Sequence, residues 1–187
     1  MNWADYGSRD DAFLPLVRNR APGSVYTHEE TRMELPLLER REIEATVIAP
    51  IVEAMGERFG RDAVLEVLEA TIERLAKEHG AALAKSLGGN ELADLARVLD
   101  VWRGSGALEI EMVREDDTHF EFDVKRCHFA EMYRRLGIAD LGPILSCNRD
   151  FCFAEGFNPD LELERPKTLM KGDDHCNFRF RKKSPGD

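Results

Sequence analysis

The sequence predicts an α+β fold in which N-terminal helices pack on a small antiparallel sheet of about four strands. Up to about residue 104, apolar residues recur at helical spacing; from residue 108 they alternate with polar residues. The last third then has the order strand-strand, helix-helix, strand-strand. Helices followed by paired strands are typical of an antiparallel sheet covered on one face by helices.

The 187 residues are enough for one domain with its own hydrophobic core. We expect a single domain over residues 1–187 with three parts. Residues 1–35 form an irregular N-terminal arm, residues 36–104 are helical, and residues 105–183 form an α+β part that carries the candidate site.

The first predicted helix runs from about Leu37 to Arg58, where apolar residues recur every fourth position from Ile43 to Met55. Pro50 lies within this run and lacks a backbone donor, so it predicts a kink or a division of the helix.

Two further helices are predicted in the helical part. One runs from Asp62 to about Ser86, is interrupted or ended by Gly80, and stops at the latest at Gly88-Gly89. The next begins after Asn90, which can cap it, and carries leucines on one face.

The α+β part begins with an alternating pattern over residues 108–112 and 120–124, which predicts an antiparallel hairpin with one buried face. A helix is predicted over residues 129–136, and residues 140–155 have a helical or half-helical pattern. Two more strands are predicted, at residues 161–164 and 176–180.

The charge distribution restricts the partners. A formal net charge of -10 argues against binding to nucleic acid, since neutralising phosphates requires an excess of lysine and arginine. No apolar run could span a bilayer, and the N-terminus lacks the pattern of a signal peptide, so we expect a cytoplasmic protein without a membrane partner. The expected partner is a small-molecule substrate, and the sequence is compatible with a homodimer.

The four cysteines are expected to be free thiols, because a chain of this size without an export signal seldom needs disulfides. Their spacing is poor for zinc, since no Cys-x-x-Cys pair is present. No cofactor is therefore predicted. A metal-dependent route stays open as an alternative, through Cys127, Cys147, Cys176 or His175.

Cys127 is a candidate nucleophile because it opens a predicted helix beside Arg126. The helix dipole and the arginine charge would both favour its thiolate. The alternative is a small apolar residue packed under the helix.

Cys147 and Asp150 would share one face of a helix, with Arg149 pointing away. Such a thiol could attack a substrate, or the carboxylate could activate water. The alternative is a carboxylate that caps the helix and a thiol that packs in the core.

Three further residues are candidates for binding a ligand. Arg165 and Thr168 could hold a carboxylate at the end of a strand, or Arg165 could form a surface ion pair with Glu162 or Glu164. Cys176 is in phase with the apolar side of the last strand, which is usually core.

Several ordered segments resemble the L-2-amino-thiazoline-4-carboxylic acid hydrolase family, over about residues 39–181. The segments are Arg41-Glu42-Ile43-Glu44-Ala45, the run from Arg126-Cys127 to Met132-Tyr133, Leu145-Ser146-Cys147-Asn148-Arg149-Asp150, Gly156-Phe157-Asn158-Pro159, and the run from Gly172 through His175-Cys176 to Phe180. In this chain Arg165-Pro166-Lys167-Thr168 stands where the family pattern is Arg-Thr-x-Thr, and the proline indicates an edge strand.

The resemblance implies hydrolysis of 2-amino-thiazoline-4-carboxylate to N-carbamoyl-cysteine, a step toward L-cysteine. It places the substrate carboxylate on Arg126, Arg149 or Arg165, and the amidinium on Asp150. Cys127 or Cys147 would act as acid or nucleophile, and the predicted binding set is completed by Thr168, His175 and Cys176.

A non-enzymatic small-molecule-binding or sensing domain is the alternative function. The final Gly-x-x-x-Cys-x-Phe strand is similar to the end of 4-vinyl-reductase-type domains. A hydrolase should bring its polar residues together in one partly closed pocket with access for water, whereas a sensor could have an apolar pocket without an acid–base pair.

Overall fold

The computed structural model of the protein describes residues 35–103 and 106–183. Apart from Leu35, the predicted N-terminal arm over residues 1–35 lies outside the described residues.

Three helices open the described part of the chain: α1 (Leu37–Phe59), α2 (Arg61–Leu87) and α3 (Leu92–Arg103). Gly60, at a φ of 92°, is the single residue between α1 and α2, and this left-handed conformation suits glycine. Pro50 does not divide α1, and α2 continues through Gly80. None of the helices in the described ranges is long and apolar enough to cross a membrane.

The apolar stripe of α1 faces outward. Ile43, Val47 and Ile51 are each more than half exposed, at 55%, 56% and 51%. The buried residues of α1 are instead Ala45 and Val52. The apolar residues at every fourth position therefore predict the helix correctly, but they do not lie on its buried face.

A four-stranded antiparallel sheet confirms the predicted α+β class. Its strands are β1 (Leu108–Glu115), β2 (His119–Cys127), β3 (Leu161–Glu164) and β4 (Cys176–Lys182), in the spatial order β1-β2-β4-β3. Between β2 and β3 the chain forms α4 (His128–Arg135), a π-helical turn (Pro143–Cys147) and α5 (Arg149–Phe157).

The inner face of the sheet carries the first hydrophobic cluster. Phe120 pairs with Phe180 and Phe122 with Phe178 across β2 and β4, and all four rings are buried. Helices α3 and α5 cover these rings. The residues of β1 that were predicted to form a buried face are only partly buried or exposed. This strand lies at the edge of the sheet, and Met112 is 41% exposed.

The second hydrophobic cluster lies among α1, α2 and α4. Val52, Ile72 and Tyr133 are buried in it, together with Leu145 of the π-helical turn. Cys127, the last residue of β2, packs against both clusters. The end of β2 is thus where the two clusters meet.

Helices α2 and α5 approach each other closely at two glycines. A Cβ on Gly80 would lie 2.2 Å from the carbonyl oxygen of Phe153, and one on Gly156 would lie 2.0 Å from the carbonyl oxygen of Lys77. Only glycine fits at such backbone contacts. They set the position of α5, whose first turn carries Arg149 and Asp150.

Candidate functional site

A cavity of about 560 Å³ is lined by residues from the three N-terminal helices and from the α+β part that follows them. Seven of the nine predicted site residues line it: Cys127, Cys147, Arg149, Asp150, Arg165, Thr168 and Cys176. These residues come from β2, the π-helical turn, α5, the segment after β3, and β4. The fold therefore brings together residues that are up to 49 positions apart in sequence, from 127 to 176.

The other two predicted substrate-binding residues, Arg126 and His175, lie outside the cavity lining. Arg126 is half exposed and pairs with Glu131, with 2.7 Å between its Nε and Oε1 of the glutamate. His175 pairs with Asp174 at 2.9 Å and lies 3.7 Å from Asp123. Arg126 precedes Cys127 on β2, and neighbouring residues of a strand face opposite sides of a sheet. His175 immediately precedes β4 and is held by Asp174 instead.

Arg165 is the most deeply buried cation of the cavity, with its side chain 5% exposed. Its Nη1 donates to Oδ2 of Asp150 at 2.6 Å, and its Nη2 donates to the carbonyl oxygen of Cys147 at 2.9 Å. The guanidinium lies between the rings of Phe151 and Phe178, 5.1 Å and 5.0 Å from their centroids. These contacts hold the charge by cation–π interaction as well as by hydrogen bonds.

The expected alternative for Arg165, a surface ion pair with Glu162 or Glu164, is wrong. Both of these carboxylates pair with Arg181 on the outer face of the sheet. Within the described residues, the Nε of Arg165 is the one buried side-chain nitrogen or oxygen without a hydrogen-bond partner. An unpaired buried donor is costly, so this atom is a candidate contact for a ligand or water.

Asp150 is an acid whose pKa is near neutrality. Burial raises its pKa to about 6, although Arg165 and Arg149 lower it. Arg165 occupies Oδ2, and no described residue donates a hydrogen bond to Oδ1. A carboxylate of this kind can accept a proton from a bound water or substrate near neutral pH.

Two of the cavity thiols, those of Cys127 and Cys147, are protonated at neutral pH. Burial raises the pKa of Cys127 to about 11 and that of Cys147 to about 12. The expectation that the helix and Arg126 would favour the Cys127 thiolate is therefore wrong, because desolvation outweighs the backbone donors of α4 and Arg126 pairs with carboxylates instead.

The hydroxyl of Thr168 connects two of the thiols. Its Oγ1 lies 3.8 Å from the Sγ of Cys147 and 3.7 Å from the Sγ of Cys176. The backbone N–H of Leu169 also donates to Cys176 at 3.2 Å. These contacts place both sulfurs at the wall that carries Arg165.

Arg149 lines the cavity together with Cys147 and Asp150, whereas helical spacing predicted that it would point away from the face these two residues share. The π-helical turn ends at Cys147 and α5 begins at Arg149, so one regular helix does not run through both residues. An extra residue per turn shifts the side chains that follow, and π-helical turns are frequent at functional sites. The Nη2 of Arg149 lies 3.3 Å from Nδ1 of His79 on α2.

The residues that the sequence analysis missed come from α1 and α2. Arg40, Arg41, Glu44 and His79 also line the cavity. Their spacing contains a signal, since positions 37, 40, 41 and 44 lie on one face of a helix. The lining therefore has more cations than carboxylates: Arg40, Arg41, Arg149 and Arg165 against Glu44 and Asp150.

This excess of positive charge stands in a chain whose formal net charge is -10. Burial and the nearby charge of Arg41 lower the pKa of Arg149. Arg41 itself is only 15% exposed and pairs with Glu44. Two partly buried cations that repel each other are stabilised by an anion placed between them.

No metal cluster is evident among residues 35–103 and 106–183, where no three histidine, cysteine, aspartate or glutamate side chains are grouped so that they could hold an ion.

The fold and the cavity define the class: an α+β protein with helices on one face of an antiparallel sheet and a partly open cavity lined by arginine, carboxylate and thiol groups. The chain belongs to the L-2-amino-thiazoline-4-carboxylic acid hydrolase family, whose model matches residues 40–180. The resemblance expected from the sequence is thereby confirmed.

Two solved structures are similar to the chain. One is the phenol-responsive sensory domain of the transcription activator PoxR with phenol, with 11% identity, a TM-score of 0.47 and coverage of 73% of each chain. The other is a trafficking protein particle complex subunit 3 from Naegleria fowleri covalently bound to palmitic acid, with 15% identity, a TM-score of 0.48 and coverage of 78% of this chain and 96% of that one. At these TM-scores neither supports a functional statement. No curated protein matches the chain.

Proposed function

We propose that the protein is a hydrolase that opens a small cyclic amidine bearing a carboxylate, with 2-amino-thiazoline-4-carboxylate as its substrate. The observation that carries this proposal is the presence of Asp150, with a pKa of about 6, in the same cavity as the partly buried Arg41 and Arg149. The family to which the chain belongs supports the choice of substrate.

Binding begins at the two arginines. The substrate carboxylate lies between Arg41 and Arg149, where it offsets their mutual repulsion and can accept hydrogen bonds from both guanidinium groups. Arg165 is assigned another role, because it already donates to Asp150 and to the Cys147 carbonyl oxygen, while its unpaired Nε is left for a water or the ligand. Its function is to hold Asp150 in place.

The proposed chemical steps use Asp150 as both base and acid. Asp150 takes a proton from water while the water oxygen bonds to C2 of the amidine. The C2–S bond of the resulting tetrahedral adduct then breaks as the C2 hydroxyl becomes the carbonyl. The hydroxyl proton moves to the ring nitrogen, and the proton on Asp150 passes to the sulfur. The net reaction adds one water and gives N-carbamoyl-cysteine.

The pKa values favour this order of proton transfers. A leaving alkyl thiolate has an ordinary pKa of about 8.5, so a carboxylic acid with a pKa of about 6 can protonate it. Cys127 and Cys147 have pKa values of about 11 and 12, so each is a weaker acid than the substrate thiol that it would have to protonate. We therefore assign these two cysteines to the cavity wall in the resting enzyme.

The test is incubation of the protein with 2-amino-thiazoline-4-carboxylate and separation of N-carbamoyl-cysteine by chromatography, which avoids counting the four protein thiols. We expect turnover with and without a chelator, and a loss of about 10²-fold or more in Asp150→Asn. Asp160→Asn is the matched control, because Asp160 is exposed and lies outside the cavity. Turnover that disappears with chelator would support the metal-dependent route instead, and equal rates in both variants would remove Asp150 from the mechanism.

A ligand-binding domain without activity is the second candidate. The observation that favours it is the apolar part of the cavity, which includes Trp102, Phe153 and Phe178. Pockets of about 300–1,000 Å³ usually hold ligands larger than one substituted five-membered ring. Saturable binding of the thiazoline without any product, in the incubation above, would favour this candidate.

A further inference from the structure

We propose that the cavity takes an organic acid whose apolar body is larger than a thiazoline ring. Its carboxylate binds at Arg41 and Arg149, and its apolar body packs against Leu83, Trp102 and Phe153. This inference goes beyond the proposed substrate, which is smaller than this class of ligand, and it rests on the anion site of the proposed function.

The apolar end of the cavity is built from elements on the sheet side. Leu83 of α2, Trp102 of α3 and Phe153 of α5 line it and pack against the first hydrophobic cluster. The rings of Trp102 and Phe153 meet edge to face, with centroids 5.5 Å apart. Leu108 and Val124, from β1 and β2, complete this wall.

The charged end and the apolar end of the cavity are one helical turn apart along both α2 and α5. On α2, Leu83 follows His79 by four residues, and on α5, Phe153 follows Arg149 by four. Four residues span roughly 6 Å of helix, and His79 and Arg149 contact each other. A ligand with its carboxylate at Arg149 therefore needs a body that extends past its first ring to contact Leu83 and Phe153.

The volume agrees with a ligand of this length. The cavity measures about 560 Å³, within the range of roughly 300–1,000 Å³ that is usual for drug-sized ligands. An aminothiazoline carboxylate, with one ring and two small substituents, leaves the apolar wall in contact with water. Apolar surface of this kind favours a ligand that covers it.

The test is a binding series of straight-chain carboxylates from butanoate to decanoate, with the corresponding primary amides. A Trp3→Phe variant leaves Trp102 as the one tryptophan of the chain, so its fluorescence reports on the apolar end. We expect affinity to rise by roughly fourfold for each added methylene until the wall is covered. We expect each amide to bind at least about tenfold more weakly than its acid, since the amide carries no charge for the arginines.

Two variants on α2 distinguish a loss of space in the cavity from a general disturbance of the core. Leu83→Phe should reduce the affinity for decanoate by about tenfold or more and leave that for butanoate unchanged. Leu87→Phe is the matched control, because Leu87 packs against the same cluster but does not line the cavity. An equal effect of both variants would overturn the inference.

The outcome of the carboxylate binding series can be distinguished from the outcome of the hydrolase test. Affinities that do not depend on chain length, or amides that bind as well as acids, would overturn this inference even if the thiazoline is hydrolysed. A length-dependent preference for acids without thiazoline turnover would uphold it and contradict only the proposed reaction.

Discussion

Arg165 donates a hydrogen bond of 2.6 Å to Asp150, and both side chains are largely enclosed, at 5% and 24% exposed. The pair joins the segment after β3 to the first turn of α5. Two opposite charges removed from water depend on each other, because either one alone would be an uncompensated buried charge. The stability of the protein and the pKa of Asp150 are therefore linked through Arg165.

Removal of Arg165 should destabilise the protein strongly. For Arg165→Met we expect the free energy of unfolding to fall by about 3–5 kcal/mol, measured by urea denaturation near pH 7. Arg181→Met, which breaks an exposed pair with Glu162, should cost less than about 1 kcal/mol. Addition of Asp150→Asn to Arg165→Met should recover part of the loss, and strictly additive effects would contradict the coupling of this pair.

The activity should depend on pH through Asp150. Its pKa is raised to about 6, and the proposed base is its ionised form, so kcat/KM for thiazoline opening should rise with pH below about 6 and level off above it. The measurement is a pH–rate profile from about pH 4.5 to 8. A profile without a change near pH 6 would show that another group transfers the proton.

The thiol of Cys127 should react slowly. With its pKa raised to about 11, its thiolate fraction at neutral pH is roughly 10²-fold lower than that of an ordinary cysteine. We expect alkylation by iodoacetamide to be slower by at least about that factor in the folded protein than in denaturant, as followed by peptide mass spectrometry. Rapid alkylation of folded Cys127 at pH 7 would return this residue to the list of candidate nucleophiles.

The glycine contacts between α2 and α5 should be intolerant of alanine. A Cβ at Gly156 would lie 2.0 Å from the Lys77 carbonyl oxygen, so we expect Gly156→Ala to lower the free energy of unfolding by about 1–3 kcal/mol or more. In α1, a Cβ at Gly56 would lie 3.4 Å from the Cα of Arg61, the nearest atom outside its own helix, and Gly56→Ala should stabilise the protein by about 0.5–1 kcal/mol. Thermal unfolding of both variants checks the opposite signs.

The fold could be predicted because its periodicities are local. The change from helical spacing to alternation near residue 108 indicates where the helices end and the sheet begins, and the structure has β1 from Leu108. The exposed stripe of α1 marks the limit of this reasoning. The same repeat that identifies a helix cannot tell whether another part of the chain packs on it.

The candidate site was partly predictable because the ends of predicted strands can be located from the sequence. Cys127 ends β2 and Cys176 begins β4, and because these strands are antiparallel both residues lie at the same end of the sheet. Arg41 and His79 were missed because their approach to Arg149 depends on how α1 and α2 pack, which spacing along one helix does not contain. The pKa of Cys127 was also unpredictable, since burial decides it and burial is a property of the whole fold.

The contact of backbones at Gly80 and Gly156 has a consequence for redesign. With no side chain between them, α2 and α5 have no room to move closer, and any larger residue would push α5 outward and carry Arg149 and Asp150 with it. A version of this protein with an altered cavity should therefore keep both glycines and differ at side chains such as Leu83.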